Sequence, residues 1–141
     1  MNAKSTTLKV TATVHAPVNK VWKLWTTPAD IQNWNSASPD WHAPSAVHEL
    51  KPGGRFSYRM EAKDGSFGFD YAGIFDQVDE ARYLEFTLDD GRKVKVHFTK
   101  IADGNTQIEE HFEAESQNSL ELQQQGWQAI LDNFKKYAEA A

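Results

Sequence analysis

Residues 118–141 read NSLELQQQGWQAILDNFKKYAEAA, and the spacing of the apolar residues in this stretch decides the fold. At about 100° per residue, Leu120, Trp127, Leu131, Phe134 and Ala138 fall on one face, flanked by Ile130 and Tyr137, so the segment is an amphipathic helix. Asn118 is placed to cap its first turn, and Glu121 to reach back as in a capping box. Gln123 and Gln124 interrupt the apolar stripe one turn before Trp127, and Gly126 costs about 1 kcal/mol relative to Ala inside a helix. Polar side chains and a missing one on a buried face predict the wall of a pocket. A helix of this kind needs a sheet to lie on.

The residues before it supply that sheet. Leu8, Val10, Ala12 and Val14 alternate with Lys9, Thr11 and Thr13, which reads as a half-buried strand. Pro17 suits the first position of a helix whose apolar face holds Val18, Val21, Trp22 and Trp25. Thr27-Pro28 starts a second, shorter helix, with Asp30 completing the cap and Ile31 and Trp34 on one side. Residues 35–44 turn to Ser, Asp, Pro and Ala and read as a loop that carries Trp41 and His42. Strands follow near 46–50, 55–61, 66–78, 82–89, 93–102 and 106–113.

The turns between these strands predict a register. Asp64-Gly65 is a two-residue hairpin signal, which pairs Tyr58 with Tyr71 and Met60 with Phe69 inside, and Arg59 with Asp70 outside. Asp90-Gly91-Arg92 and Asp103-Gly104-Asn105 read as three-residue loops. They set Phe86 opposite Val96, Leu84 opposite Phe98, and Val96 opposite Phe112, so the even-numbered apolar residues share one face. The fold class is α+β: an antiparallel sheet of six or seven strands, two short helices after the first strand, and one long helix covering the apolar face.

With 141 residues the chain reads as a single domain over 1–141. It has no cysteine, which removes disulfides, thiolate chemistry and zinc–thiolate sites. The first thirty residues show no apolar stretch suited to a signal peptide or a membrane span, so the expected location is cytoplasmic. A net charge of −5 without a Lys/Arg stripe argues against nucleic acid. There is no G-x-S-x-G and no glycine-rich phosphate loop, and no cofactor is expected. His15, His42 and His48 are scattered. His97 and His111 read as cross-strand neighbours on the outer face with Glu85 beside His97, a solvated His–Glu neighbourhood rather than a metal site.

Ala16-Pro17-Val18, the stretch from Val21-Trp22 to Trp25-Thr26, Trp34, the Pro52-Gly53-Gly54-x-Phe56 turn, Gly73, and the terminal Gly126-Trp127…Leu131…Phe134…Tyr137 resemble the helix-grip superfamily, called SRPBCC or START-like. Within it the chain is similar, over essentially its whole length, to the bacterial proteins named after the activator of the ninety-kilodalton heat-shock ATPase, also labelled polyketide-cyclase-like. The resemblance implies a curved sheet gripping the last helix, with a hydrophobic cavity between them. It transfers no catalytic set, because the superfamily's shared motifs are structural and its functions diverse.

Glu110 is the sharpest candidate for chemistry. It lies between Ile108 and Phe112 on a strand whose even positions point inward, and the register above sets it opposite Phe98. A carboxylate there must be paired, hydrated or neutral. Either it projects into a cavity, to bind a ligand or act as an acid or base, or it is turned outward by a bulge or paired with a core Tyr or Gln. Gln123 and Gln124 would meet it from the helix, and Tyr58, Phe69, Tyr71, Phe86, Trp127 and Ile130 would form aromatic and apolar walls. Trp34 and Trp41 would form the mouth. The leading expectation is binding of a small hydrophobic or amphipathic molecule by a monomer or homodimer. One rival is a cyclase- or hydrolase-like enzyme using Glu110 with Tyr58 or Tyr71. The other is a chaperone-associated module docking through residues 28–48, which requires a filled core.

Overall fold

In the computed structural model, which describes residues 6–141, the first alternating segment forms β1 (Thr7–Val14), followed by helices α1 (Val18–Thr26) and α2 (Pro28–Trp34). Then come β2 (Trp41–His48), β3 (Arg55–Ala62), β4 (Gly68–Asp79), β5 (Tyr83–Leu88), β6 (Lys93–Ala102), β7 (Asn105–Glu113) and the long helix α3 (Leu120–Ala140). The strands make one antiparallel sheet in the order β1-β7-β6-β5-β4-β3-β2. Register shifts at Phe75/Gln77 in β4 and Lys100/Ala102 in β6 are bulges, which bend strands, and the sheet curls into a half-barrel around α3.

The first hairpin has the expected register: Tyr58 faces Tyr71, Met60 faces Phe69, and Arg59 faces Asp70 with a 3.3 Å ion pair. The next two hairpins are each shifted by two residues. Leu88 N–H donates to the Arg92 carbonyl at 2.8 Å and Gly91 N–H to the Leu88 carbonyl at 2.8 Å, so the loop is Asp89-Asp90-Gly91. Gly91, at φ 93°, takes its third position, where a three-residue loop needs a left-handed residue. Phe86 therefore faces Val94 and Leu84 faces Val96. In the last hairpin Ala102 pairs with Asn105 around Asp103-Gly104, and Ile101 is bulged out, 51% exposed. Val94 consequently faces Phe112, and Val96 faces Glu110. A shift of two keeps every side chain on its own face, so the even-numbered residues still point inward.

Local chemistry also moves several boundaries. Ser119, not Asn118, caps α3: its hydroxyl accepts from Leu122 N–H at 3.1 Å, while Asn118 is bound by the Glu115 carboxylate. Leu120 leaves the buried stripe and is 46% exposed. Pro17 takes the cap position of α1, one residue before the helix proper. Thr27 caps α2 without a side-chain bond, and Asp30 instead accepts the Tyr137 hydroxyl at 2.6 Å. The segment read as a loop up to Pro44 is strand from Trp41 onward; Pro44 is tolerated because β2 is an edge strand and its register shifts there.

Hydrogen bonds along both sides of α3 hold it over the sheet. Gln124 and Gln128 donate to the Lys9 and Thr11 carbonyls at 2.9 and 3.0 Å, and Lys135 donates to Thr13 at 2.8 Å. On the other side Asn133 donates to the Trp34 carbonyl at 2.9 Å. Under the second half of α3, Trp25 packs on Phe134 (4.8 Å between centroids), Trp34 (4.8 Å) and Phe98 (5.6 Å), closing one end of the half-barrel.

Two glycines give opposite expectations. A Cβ on Gly73 would lie 2.2 Å from the Thr87 carbonyl oxygen and 3.0 Å from Leu88 Cα, and this backbone is fixed by the β4–β5 ladder. A Cβ on Gly126 meets nothing within 4 Å. Urea denaturation should show Gly73→Ala destabilising by about 3 kcal/mol and Gly126→Ala stabilising by about 1 kcal/mol.

Candidate functional site

The inward residues of a curled sheet diverge, and α3 spans the gap without filling it. A cavity of about 290 Å³ remains between them. β3 contributes Phe56, Tyr58 and Met60; β4 contributes Phe69, Tyr71 and Phe75; β5 contributes Leu84 and Phe86. Gln123, Trp127 and Ile130 line it from α3, and Trp25, Ile31 and Trp34 close the end beneath α1 and α2. Phe69, 42% exposed, and the exposed Asn118 mark its open side.

The aromatic wall is rigid because each ring is braced by another. Phe56 lies 5.1 Å from Tyr58, Phe75 and Phe86. Trp127 stacks on Phe112 at 3.9 Å with 4° between the planes, and Tyr71 meets Trp127 edge-on at 6.3 Å. Such pairs add about 0.5–1.5 kcal/mol each beyond burial.

Glu110 sits between two wholly apolar neighbours, Val10 on β1 and Val96 on β6, where Phe98 was expected. It is 7% exposed and lines the cavity. No group among the described residues hydrogen-bonds its carboxyl, and none of those residues seals an unpartnered polar atom away completely, so its oxygens open onto the cavity. Burial pushes its pKa from 4.5 up to about 8, because the charged form has lost its water and gained no partner. Tyr71 is raised well above its ordinary value by burial first and by the charge of Glu110 second, which places the two side chains within electrostatic reach. Tyr58 is raised by burial, and its hydroxyl meets His48 Nδ1 at 2.7 Å. Burial lowers the pKa of His48, opposed by a hydrogen bond to the Thr26 backbone.

Of the expected site residues, Trp34, Tyr58, Phe69, Tyr71, Phe86, Glu110, Gln123, Trp127 and Ile130 line this space. Trp41 does not. Its strand begins earlier than expected, and its ring packs against Phe67 and Phe69 at 6.0 and 6.1 Å on the outer part of the β3–β4 hairpin. Trp34 is floor rather than mouth: it is 5% exposed and its indole N–H donates to the Leu24 carbonyl at 3.1 Å. Gln124 faces β1 rather than the cavity. Gln123 lines the cavity, but its amide does not reach for Glu110. Its Oε1 accepts Glu115 N–H, and its Nε2 donates to the Glu115 and Asn118 carbonyls, tying the chain before α3 to the helix.

Six polar lining residues were not expected from the sequence, Thr26, Asn35, His48, Arg92, Glu115 and Asn118, and two of them show why. By its turn signal Arg92 is a loop residue; paired with Leu88 in the true register, it is an even-numbered inward position, and its Nε donates to Asp90 at 2.8 Å. His48 pairs with Phe56, but the turn from 49 to 54 has no short-hairpin signature from which that pairing can be derived. On the outer face His97 is opposite Glu109 and His111 opposite Lys95, and the two rings lie 5.8 Å apart. Glu85 is opposite Lys95, with Tyr83 beside His97 instead. Among the described residues no group of three or more His, Asp or Glu side chains is arranged to hold a metal ion, and no helix is long and apolar enough to cross a membrane.

A folded carboxyl with a raised pKa stays protonated where its unfolded counterpart ionises. The folded state therefore binds the extra proton between pH 4.5 and about 8, and stability present at low pH is lost as pH rises through that window. Tyr58, Tyr71 and Arg92 also line the cavity and remain in Glu110→Gln, so comparison of the two proteins isolates the carboxyl. Each pH unit crossed inside the window costs about 1.4 kcal/mol, so between about pH 5 and pH 8 the wild type should lose roughly 3 kcal/mol relative to Glu110→Gln in urea denaturation.

A family model described as Activator of Hsp90 ATPase homolog 1-like protein matches residues 15–139. The solution structure of the AHSA1-like protein from Aeromonas hydrophila is 44% identical, with 96% of this chain and 93% of that chain covered at a TM-score of 0.89. The solution structure of a protein from Cytophaga hutchinsonii is 50% identical, covering 96% and 92% at a TM-score of 0.80. A crystal structure of a protein from Nitrosomonas europaea, 19% identical, shares the fold at a TM-score of 0.81 over 99% of this chain and 97% of that one. No curated protein matches the chain.

Proposed function

The chain belongs to the Activator of Hsp90 ATPase homolog 1-like family, and we propose that it binds a small apolar or amphipathic molecule in the cavity between the sheet and α3. One observation carries this reading: about 290 Å³ of space is walled by mutually braced aromatic rings that do not fill it, with an unpartnered carboxyl opening onto it. Packed interiors leave few voids larger than a water, and an unfilled core loses dispersion contacts on every wall. The volume lies near the lower end of small-molecule sites, which run from about 300 Å³ upward and are mostly apolar with a few placed polar groups. A module acting only through its surface would need no such space, so the cavity counts against docking through residues 28–48 as the main role.

A second reading has one observation in its favour. Glu110 holds its proton near neutrality, which is where a general acid or base is most effective, and Tyr71 stands within electrostatic reach. Cyclase- or hydrolase-like turnover of a bound aromatic or polyketide-like substrate would then depend on that carboxyl.

The binding reading is tested with the neutral fluorophore N-phenyl-1-naphthylamine. Emission should rise saturably with one molecule bound per chain, and Ile130→Trp, which puts a larger side chain into the space, should weaken binding at least tenfold. Absence of saturable binding to the wild-type protein, or binding untouched by Ile130→Trp in a variant of unchanged circular dichroism, overturns the proposal. Native mass spectrometry of protein purified from its own host should show a copurified small molecule.

A further inference from the structure

The polar atoms of the cavity are unequal in what they offer. His48 Nδ1 and the Tyr58 hydroxyl lie 2.7 Å apart, so each engages the other. The Tyr58 oxygen keeps lone-pair capacity toward the cavity in either arrangement. Both ends of the Gln123 amide are spent on backbone groups between residues 115 and 118. Thr26 donates its hydroxyl hydrogen to the Trp22 carbonyl at 2.7 Å. Glu110, buried to 7% exposure and without a partner, offers acceptor oxygens alone only once it gives up its proton. The carboxyl of Glu110 is therefore a buried acidic group that the surrounding β3, β4 and β7 side chains leave without a partner.

The charges point the same way. Arg92 is the cation on the cavity wall, and Asp90 pairs with it at 2.8 Å while the Glu115 carboxylate also feels it. It is already balanced. Glu110 faces no counter-charge, and a buried carboxyl without one is held at an energetic loss that a bound cation would recover. Tyr71, Phe86 and Trp127 line the same space, and aromatic rings attract a cation more than a neutral group or an anion.

We infer that the molecule taken by this cavity is an amphipathic amine, an apolar or aromatic body bearing one primary or secondary ammonium group, with the ammonium seated against Glu110 and reaching the oxygens of Tyr58 and Tyr71. This rests on the binding reading above and names its ligand class. An ammonium brings two or three donors and the positive charge that Glu110 lacks. A carboxylate brings none and would face Glu110. An alcohol brings one and no charge.

Three probes with one common tail separate these possibilities: 4-phenylbutylamine, 4-phenylbutan-1-ol and 4-phenylbutanoate, titrated into the full chain at pH 8 and followed by NMR. The amine should bind at least tenfold tighter than the alcohol, with the carboxylate weakest. In Glu110→Gln the preference for amine over alcohol should fall to near unity. Independently of any variant, the Glu110 carboxyl carbon should shift to its ionised position at pH 7 when the amine saturates the protein. An alcohol or carboxylate that binds as tightly as the amine, or a Glu110 that stays protonated in the amine complex, overturns this inference and leaves the cavity a neutral site. Failure of all three probes alongside failure of the neutral fluorophore removes the binding reading itself.

Discussion

Helix α3 is fixed by polar bonds along its two sides, and the interior of this molecule depends on that arrangement. Gln124, Gln128 and Lys135 take the outward carbonyls of β1, while Asn133 and Tyr137 reach back to Trp34 and Asp30. Were the helix held only by apolar contact with the sheet, it would settle until the space beneath it closed. Supported on both flanks and packed over its second half, where Leu131, Phe134 and Ala138 are fully buried, it meets β7 through the Trp127–Phe112 stack and leaves the space toward β3, β4 and β5 open. The cavity is thus a consequence of where the long helix is anchored, and the aromatic pairs within it keep the walls from collapsing inward.

Glu110 is the residue on which the proposed binding turns. The residues on its own face of β7 are Thr106, Ile108 and Phe112, all fully buried, and its cross-strand neighbours are Val10 and Val96. A valine or leucine would suit every one of these neighbours. The carboxyl instead lowers stability at neutral and alkaline pH, a loss of the kind found where a binding or reacting group is held in readiness. The proposed ammonium-bearing ligand offsets it by supplying the missing charge, which couples occupancy of the cavity to stability of the fold.

Much of this was legible in the chain because side-chain parity in a strand is robust. The inner face of β5, β6 and β7 came out correctly although two hairpins slipped by two residues, since an even shift moves partners without turning any side chain over. What failed were features set by competition among neighbours. Gly91 belongs at the third loop position, not the second, and that one-place difference hid Arg92. Ser119 and Asn118 are both good caps, and Asn118 was lost to Glu115. Gln124 and Gln123 are adjacent and chemically identical, yet one binds β1 and the other the chain before α3. Trp41 and His48 lie on β2, whose connection to β3 has no short-hairpin geometry, so nothing local tied either to the sheet.

The covering of β1 has a further consequence at the rims of the half-barrel. Outermost strands invite strands from other chains, the route to fibrils and to runaway association. Here three carbonyls on the β1 rim are already occupied by the helix, and the opposite rim is blunted by Pro44, which has no N–H to give and whose carbonyl is taken by Gln32 at 2.7 Å. A hollow protein loosens more readily than a solid one, but when this one breathes it shows its neighbours two capped margins rather than a template for polymerisation.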